Sequence, residues 1–273
     1  MITFPNAKIN LGLNIVSRRP DGYHNIETVF YPIPLTDSLE IVPAEGSEST
    51  LTCYGRVVDC TTEKNLVMKA YRMMEKEFGL PPVDIYLVKH IPDGAGLGGG
   101  SSDASFCMKM LNDMFELGCT DEQLAKMASK IGADCPFFIH NKPMMATGIG
   151  DEFTPTDVCM KGKHMLLVKP DVSVPTKAAY AQVTPAPSAK PIPEILSDGM
   201  ENWQKELVND FEKSVFAQYP SLAEIKRTLL ESGASYAAMS GSGSSIFGIF
   251  SCAEMAEKAA DNFKEYSHFV IQL

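Results

Sequence analysis

The chain has 273 residues, of which 45% are hydrophobic and 21% charged, a balance typical of a globular protein with a sizeable core and not of a disordered chain. Its formal net charge of −10 disfavours nucleic acid as the main partner, because phosphate backbones require clustered Lys and Arg. An anionic small molecule remains compatible with this charge, since loop amides and one or two lysines create a locally positive field.

The cysteines and the first residues bear on the cellular compartment. The seven cysteines form no CxxC pair and are odd in number, which favours a reduced protein over a disulfide framework or a zinc site. Residues 1–5 lack the basic and apolar regions of a signal peptide, and no apolar run reaches the length of a membrane span. We therefore expect a cytoplasmic protein without a membrane partner, and the sequence leaves the oligomeric state open.

The first half of the chain begins with a strand that has one polar face. Residues 7, 9, 11, 13 and 15 are apolar, whereas Lys8, Asn10 and Asn14 alternate with them on the other face. The predicted elements that follow are strands at 26–33, 38–42 and 49–54, a helix at 65–78 ended by Gly79, a strand at 83–88, an amphipathic helix after residue 102, and a helix that a capping box opens at Thr120 and Gly132 ends.

The second half of the chain has a different order of elements. They are predicted as a strand at 164–169, a surface loop at 183–193, helices at 203–216 and 221–231, strands at 236–239 and 244–250, a helix at 253–263 and a strand at 268–273. This order indicates a ferredoxin-like arrangement. The expected fold is α+β with two lobes, residues 1–150 and residues 151–273.

A glycine-rich segment separates the strand at 83–88 from the next helix. It reads Pro92, Asp93, Gly94, Ala95, Gly96, Leu97, Gly98, Gly99, Gly100, Ser101, Ser102. Without side chains the backbone can approach a ligand closely and direct successive N–H groups into one concavity. The helix behind it adds the positive end of its dipole, where phosphate oxygens bind, and the two serine hydroxyls are available to phosphate or magnesium.

Three other interpretations of this segment fit its residues less well. Gly94, Gly96 and Gly99 satisfy GxGxxG, but Glu116, the acid at the distance expected in a dinucleotide fold, lies on the polar stripe of a helix. A Walker A loop requires a lysine directly before the Ser/Thr, and none precedes Ser101. A flexible turn rarely needs five glycines in seven residues. A phosphate-binding loop of another type fits best.

Three blocks together resemble the galactokinase–homoserine kinase–mevalonate kinase–phosphomevalonate kinase (GHMP) superfamily. Residues 92–102 resemble its ATP-binding signature, residues 7–11 (AKINL) its first motif, and residues 239–244 (MSGSGS) its third, in the right order across nearly the whole chain. The resemblance implies a two-lobed GHMP-kinase-type fold. In that fold the N-terminal lobe resembles ribosomal protein S5 domain 2, and the C-terminal lobe is ferredoxin-like.

A finer resemblance is to the superfamily's kinases of 4-diphosphocytidyl-2-C-methyl-D-erythritol. The residues that carry it are 5–11 (PNAKINL), 21–24 (DGYH), 97–104 (LGGGSSDA), 132–138 (GADCPFF), 170–176 (PDVSVPT) and 209–212 (NDFE). Asp93-Gly94-Ala95 and Asp103 depart from the usual pattern. The resemblance implies transfer of the γ-phosphate of ATP to the 2-hydroxyl of the cytidylated alcohol, in non-mevalonate isoprenoid precursor synthesis.

The resemblance also assigns the two catalytic roles. Asp134 matches the base that accepts the hydroxyl proton, and Lys8 matches its partner, which keeps the carboxylate ionised and favours the developing alkoxide. From the residues alone, Asp134 could instead be a turn or helix-cap aspartate before Cys135, and Lys8 a solvated lysine of a strand.

Substrate and nucleotide contacts follow in the same way. The resemblance places Tyr23 and Tyr180 on opposite faces of the cytosine, His24 at its edge, and Asn10 near the sugar-like or diphosphate portion. Further, it places Asn65 and Lys89 near the adenine of ATP. From the residues alone, His24 could be structural, Asn65 a helix-start residue, Lys89 a strand-end residue and the block at 240–245 a hairpin of small residues.

Mg²⁺ is implied by the use of ATP, although the sequence shows no carboxylate cage; magnesium often rests on substrate phosphates and water. Other interpretations of the whole chain are a superfamily kinase of homoserine or a mevalonate-like alcohol, a nucleotide-binding protein without catalysis, and a dehydrogenase.

Overall fold

The alternating first segment forms a long strand in the computed structural model, which describes residues 1–57 and 60–273. The strands are β1 (Ile2–Thr3), β2 (Asn6–Arg18), β3 (His24–Thr36), β4 (Ser38–Pro43), β5 (Thr50–Gly55), β6 (Val83–Lys89), β7 (Met144–Thr147), β8 (Glu152–Pro155), β9 (His164–Lys169), β10 (Tyr236–Met239), β11 (Ile246–Phe250) and β12 (Ser267–Gln272). The α-helices are α1 (Leu66–Phe78), α2 (Gly99–Met114), α3 (Asp121–Ala128), α4 (Cys135–His140), α5 (Thr176–Ala181), α6 (Ile192–Ser197), α7 (Met200–Glu206), α8 (Phe211–Gln218), α9 (Pro220–Glu231) and α10 (Ala253–Ala260).

Two units alternate along the chain. The first comprises Met1–Ala7, Leu35–Asp93 and Gly98–Lys142, and the second comprises Lys8–Pro34, Gly94–Leu97 and Pro143–Leu273. The division at residue 150 into an ATP-binding lobe and a ferredoxin-like lobe stays a prediction.

The first unit contains a four-stranded sheet in the order β1-β4-β6-β5. Its β5 and β6 are parallel, and α1 makes the crossover between them. This helix begins where Asn65 Oδ1 accepts the Val67 N–H at 2.9 Å and ends at Gly79, which has φ +67°, as predicted. Apolar residues of the sheet, α1 and α2 form one core that supports the start of α2.

The second unit contains two sheets, in the orders β2-β3-β7-β8 and β10-β11-β9-β12. In the latter sheet β9 pairs antiparallel with β11 and β12, and β10 pairs antiparallel with β11. The first and third strands of the C-terminal segment are therefore central, which confirms the ferredoxin-like arrangement.

Several predicted elements were wrong in extent. The helix expected at 203–216 is broken between α7 and α8, because Leu13 N donates to Val208 O and Asp210 N donates to Leu13 O, both at 2.8 Å. The helix expected to run to Gly132 ends at Ala128, and the loop expected at 183–193 ends where α6 begins. The sequence analysis also missed several short elements, among them β1, α4, α5, α6, β7 and β8.

Two further observations concern the chain as a whole. All seven cysteines are unpaired, and Cys107 and Cys135 are buried. Within residues 1–57 and 60–273, no helix combines the length and the apolar character that crossing a membrane requires.

Candidate functional site

Lys8 and Asn10 lie on the predicted polar face of β2, and that face is buried. Their exposed fractions are 4% and 2%. Lys8 Nζ donates to Asn10 Oδ1 at 2.8 Å and lies 4.5 Å from the centroid of the Phe30 ring. Asn10 Nδ2 donates in turn to Thr28 Oγ1 at 2.9 Å. Lys8 is therefore a buried cation in a fixed position, and not a solvated lysine.

Also within the second unit, residues 96–97 of the glycine-rich segment contact β2 and the block at residues 239–244. Lys8 N donates to Leu97 O at 2.9 Å, and Ser240 Oγ donates to Gly96 O at 2.8 Å. Asn10 N donates to Ser240 Oγ at 3.3 Å. Residues from three distant parts of the sequence, all singled out from their motifs, thus form one hydrogen-bonded assembly.

Gly96 is required by this assembly for a steric reason. It has φ +75°, and an added Cβ would lie 2.0 Å from Ser240 O. From the predicted role of this segment in ATP binding, we expect Gly96→Ala to raise the KM for ATP and to lower kcat/KM by ~10²-fold, because the segment must move away from residues 240–245, the hairpin loop between β10 and β11. Steady-state kinetics at varied ATP concentration would measure this.

Gly94→Ala is the matched control for that variant. Gly94 also has a positive φ, +57°, but nothing lies within 4 Å of the added Cβ. We expect it to lose ~1–2 kcal/mol of stability from the left-handed backbone and to change the kinetics much less than Gly96→Ala, because its added Cβ meets no neighbour. Equal effects of the two substitutions on KM would contradict the steric explanation.

In the first unit, the same segment continues into the start of α2. Gly98 is the N-cap residue in the left-handed conformation, with φ +70°, and no side chain caps the helix. Because the first N–H groups of a helix have no partner within it, the first turn of α2 can bind an anion. Ser102, also in this turn, is fully buried, and its Oγ has no hydrogen-bond partner among the described residues.

Asp134 lies in the turn that precedes α4, and this turn is attached to the start of α2. Ser105 Oγ approaches Ser101 O at 2.9 Å and Cys135 O at 2.7 Å, so one hydroxyl joins the two helix starts. Asp134 occupies the N-cap position but makes no side-chain capping hydrogen bond. The helix-cap explanation of Asp134 is therefore wrong. Burial raises the pKa of the Cys135 thiol to about 11, so this neighbour stays protonated at neutral pH and is not a nucleophile.

Asn65 and Lys89, predicted to lie near the adenine, are both beside the start of α2. Asn65 caps α1, and an added Cβ at Gly100 would lie 3.7 Å from Leu66 Cδ1, next to that cap. An added Cβ at Gly99 would lie 3.3 Å from Lys89 Nζ. The two residues thus border the glycine-rich segment, and their contact with adenine stays a prediction.

The ammonium of Lys89 is held between two carboxylates. It forms an ion pair with Asp37 Oδ2 and another with Asp103 Oδ2 at 2.7 Å. Asp37 Oδ1 also accepts the N–H groups of His90 at 2.5 Å and Ile91 at 2.8 Å. Burial raises the pKa of Asp103 to about 8. The sequence analysis missed Asp37 and noted Asp103 only as a departure from the usual motif.

The predicted cytosine-binding residues are partly brought together in the second unit. The rings of His24 and Tyr180 are stacked, with centroids 5.0 Å apart and an interplanar angle of 16°. Tyr23 is at the tip of the turn before β3, 62% exposed, where its N–H donates to Asp21 Oδ1 at 3.0 Å. His24 thus lies against the face of Tyr180, whereas the resemblance implied a position at the cytosine edge; its contact with cytosine stays a prediction.

Among the residues the structure describes, no group of three or more His, Cys, Asp or Glu side chains is placed to hold a metal ion.

Comparison with known proteins identifies both halves of the chain. Residues 65–142 match the family GHMP kinases N terminal domain, and residues 189–268 match GHMP kinases C terminal. The 4-diphosphocytidyl-2-C-methyl-D-erythritol kinase of Bacteroides fragilis is 56% identical over 94% of this chain and 95% of its own length. The enzyme of that name from Parabacteroides distasonis is 54% identical over 98% and 96%.

Solved structures of two kinases are similar to this chain over nearly its whole length. A crystal structure of 4-(cytidine 5'-diphospho)-2C-methyl-D-erythritol kinase is similar with a TM-score of 0.85 and 31% identity, over 99% of this chain and 98% of that one. The mevalonate kinase of Methanococcus jannaschii has a TM-score of 0.74 at 14% identity, over 100% and 98%, which is a likeness of fold.

Proposed function

The chain belongs to the GHMP kinase superfamily and, within it, to the 4-diphosphocytidyl-2-C-methyl-D-erythritol kinases, and from that premise we propose its reaction and the roles of its residues. It transfers the γ-phosphate of ATP to the 2-hydroxyl of 4-diphosphocytidyl-2-C-methyl-D-erythritol, giving the 2-phosphate and ADP. This is a step of non-mevalonate isoprenoid precursor synthesis. The observation that carries the proposal is the hydrogen-bonded assembly of Lys8, Asn10, residues 95–97 and Ser240.

Phosphoryl transfer requires an acceptor for the hydroxyl proton and compensation of negative charge. Asp134 is proposed as the base, which is supported by its half-buried position beside the start of α2 and by the absence of a capping role. The fixed ammonium of Lys8 is proposed to stabilise the developing alkoxide.

ATP binding is proposed for residues 92–102. The uncapped first turn of α2 supports a contact with phosphate oxygens. The unpartnered hydroxyl of Ser102 is the group in this segment that fits a magnesium ion. Mg²⁺ would neutralise charge on the ATP phosphates and keep most of its ligands from them and from water.

Cytidine recognition is proposed for Tyr23, His24 and Tyr180, and Asn10 is proposed to contact the sugar-like or diphosphate portion. A flat aromatic surface is available in the ring pair of His24 and Tyr180. Because stacking tolerates many bases, the selectivity for cytosine requires a hydrogen bond to its edge, and His24 is the proposed donor or acceptor.

A coupled ADP-release assay tests this function. The purified chain is given ATP, Mg²⁺ and, separately, the cytidylated alcohol, 2-C-methyl-D-erythritol 4-phosphate, homoserine and mevalonate. We expect ADP release with the cytidylated alcohol and a loss of at least ~10²-fold in kcat/KM without the cytidine group. Turnover of homoserine or mevalonate would favour another activity of the superfamily, and ATP binding without ADP release would favour a protein without catalysis.

The compartment proposed for this reaction is the cytoplasm. All seven cysteines are unpaired, which supports a reducing environment.

A further inference from the structure

Asn209, between α7 and α8, uses all its side-chain polar groups on backbone atoms. Its Nδ2 donates to Met239 O and to Gly241 O, both at 2.8 Å, and its Oδ1 accepts the Phe211 N–H at 3.0 Å. Asn209 is 4% exposed. One buried amide thus fixes the path of the backbone where β10 ends and the hairpin begins.

That hairpin is the part of the second unit that contacts the glycine-rich segment. Ser240 Oγ donates to Gly96 O at 2.8 Å, and an added Cβ at Gly241 would lie 3.3 Å from Gly96 Cα and 3.5 Å from Asn10 Oδ1. Glu212 Oε1 adds a second support, because it accepts the Met239 N–H at 2.8 Å. A displacement of the hairpin by a few tenths of an ångström would therefore move Gly96 as well.

Phe211, two residues further on, contacts the aromatic pair. Its ring is perpendicular to that of Tyr180, with the centroids 4.8 Å apart, and Tyr180 is stacked on His24. Phe211 is 1% exposed and belongs to the core of the second unit. The buried ring of Phe211 therefore sets where the ring of Tyr180 lies.

The segment that contains Asn209 and Phe211 is hydrogen-bonded to β2, the strand of Lys8 and Asn10. Asp210 N donates to Leu13 O at 2.8 Å, and Ile15 N donates to Asp210 Oδ2 at 2.7 Å. These contacts replace the helical hydrogen bonds that the sequence pattern predicted at 207–210. The interruption of the helix is thus what allows Asn209 and Phe211, two positions apart, to support different parts of the site.

We propose that Asn209 and Phe211 are positioning residues with separate tasks, Asn209 aligning the hairpin and glycine-rich segment for phosphate transfer and Phe211 aligning Tyr180 for cytidine binding. This inference rests on the proposed function. It predicts that substitutions at these two positions, which are separated by one residue, change different kinetic constants, whereas a general role in stability would change the same constants in both.

The test is a comparison of Asn209→Asp with Phe211→Leu. Asn209→Asp keeps the oxygen that accepts the Phe211 N–H and loses both donors, so we expect kcat to fall ~10- to 100-fold and the KM for the cytidylated alcohol to change less than about twofold. Phe211→Leu removes the ring contact, so we expect that KM, and the Kd for CMP, to rise ~3- to 10-fold with kcat nearly unchanged. Titration with the ATP analogue AMPPNP should show weaker binding in Asn209→Asp only.

Two control variants match the chemistry of the substitutions. Asn112 makes the same kind of contact, to the N–H and C=O of Cys119, near the C-terminal end of α2, and Asn112→Asp should lower the melting temperature and leave both constants unchanged. Val215→Ala shortens a core side chain one turn after Phe211, and it should also lower the melting temperature and leave both constants unchanged. Should either test variant fail to fold, Asn209→Ser or Phe211→Met takes its place.

The outcomes separate the inference from the function on which it rests. A fall in kcat that is confined to Asn209→Asp, together with a rise in KM that is confined to Phe211→Leu, supports the inference. Parallel losses in both constants, or changes no larger than those of the controls, overturn it while the wild-type turnover stands. A wild-type chain that neither phosphorylates the cytidylated alcohol nor binds CMP counts against the proposed function instead.

Discussion

Replacing Asp134 with alanine is expected to lower kcat by ~10²–10⁴-fold and to leave the Kd for ATP nearly unchanged, because a general base acts only when the hydroxyl proton is transferred. The variant should lose no helix cap, since the Asp134 side chain makes no capping hydrogen bond to α4. Turnover kinetics, a nucleotide titration and urea unfolding on the same preparation measure the three quantities.

The control for Asp134 is a residue that does cap a helix. Thr120 Oγ1 accepts the Gln123 N–H at 3.3 Å in the capping box of α3. Thr120→Ala should therefore cost ~0.5–2 kcal/mol of stability and leave kcat unchanged, the reverse of the result for Asp134. If Asp134→Ala is destabilised and still turns over at a comparable rate, the carboxylate has a structural role and another group accepts the proton.

Local patterns predicted much of the fold. The alternation along 7–15 gave β2 and its polar face, Asn65 and Gly79 bounded α1, and the capping box opened α3. Each of these features is decided by residues close in sequence, so a single sequence contains the information. The burial of Lys8 was not predictable in this way, because it depends on Phe30 and on the segment at 94–97.

Where distant residues compete with a local pattern, the prediction failed. Residues 203–216 have a helical pattern, but the backbone at 208–210 bonds to β2 instead. Such a contact joins positions about 195 residues apart, as between Ile15 and Asp210, and periodicity carries no information about it. Periodicity likewise gave no role to Asn209, although the resemblance includes residues 209–212. It also gave no indication that Asp37 and Asp103 surround Lys89.

Lys89→Met is expected to destabilise the chain by ~3–5 kcal/mol, because it leaves two buried carboxylates without their cation. Asp37 is fully buried and Asp103 is 2% exposed, so neither can be solvated without opening the start of α2. Urea unfolding of the purified variant measures the loss. A stability close to that of the wild type would mean that the ion pairs contribute little and that Lys89 is retained for another reason, such as the proposed contact with adenine.

Lys190→Met is the matched control for this prediction, because Lys190 also bridges two carboxylates, Asp198 and Glu206, but at the surface. Solvent screens that arrangement, so its loss should change stability little. The deficit of Lys89→Met should also depend on pH. A carboxyl whose folded pKa is raised, as that of Asp103 is to about 8 from 3.8, stabilises the folded state at low pH and loses that contribution as the pH rises. Without the ammonium the pKa rises further, so the deficit should grow as the pH is raised from 7 to 9, through the wild-type pKa, and a deficit that is constant over this range would contradict the role of Asp103.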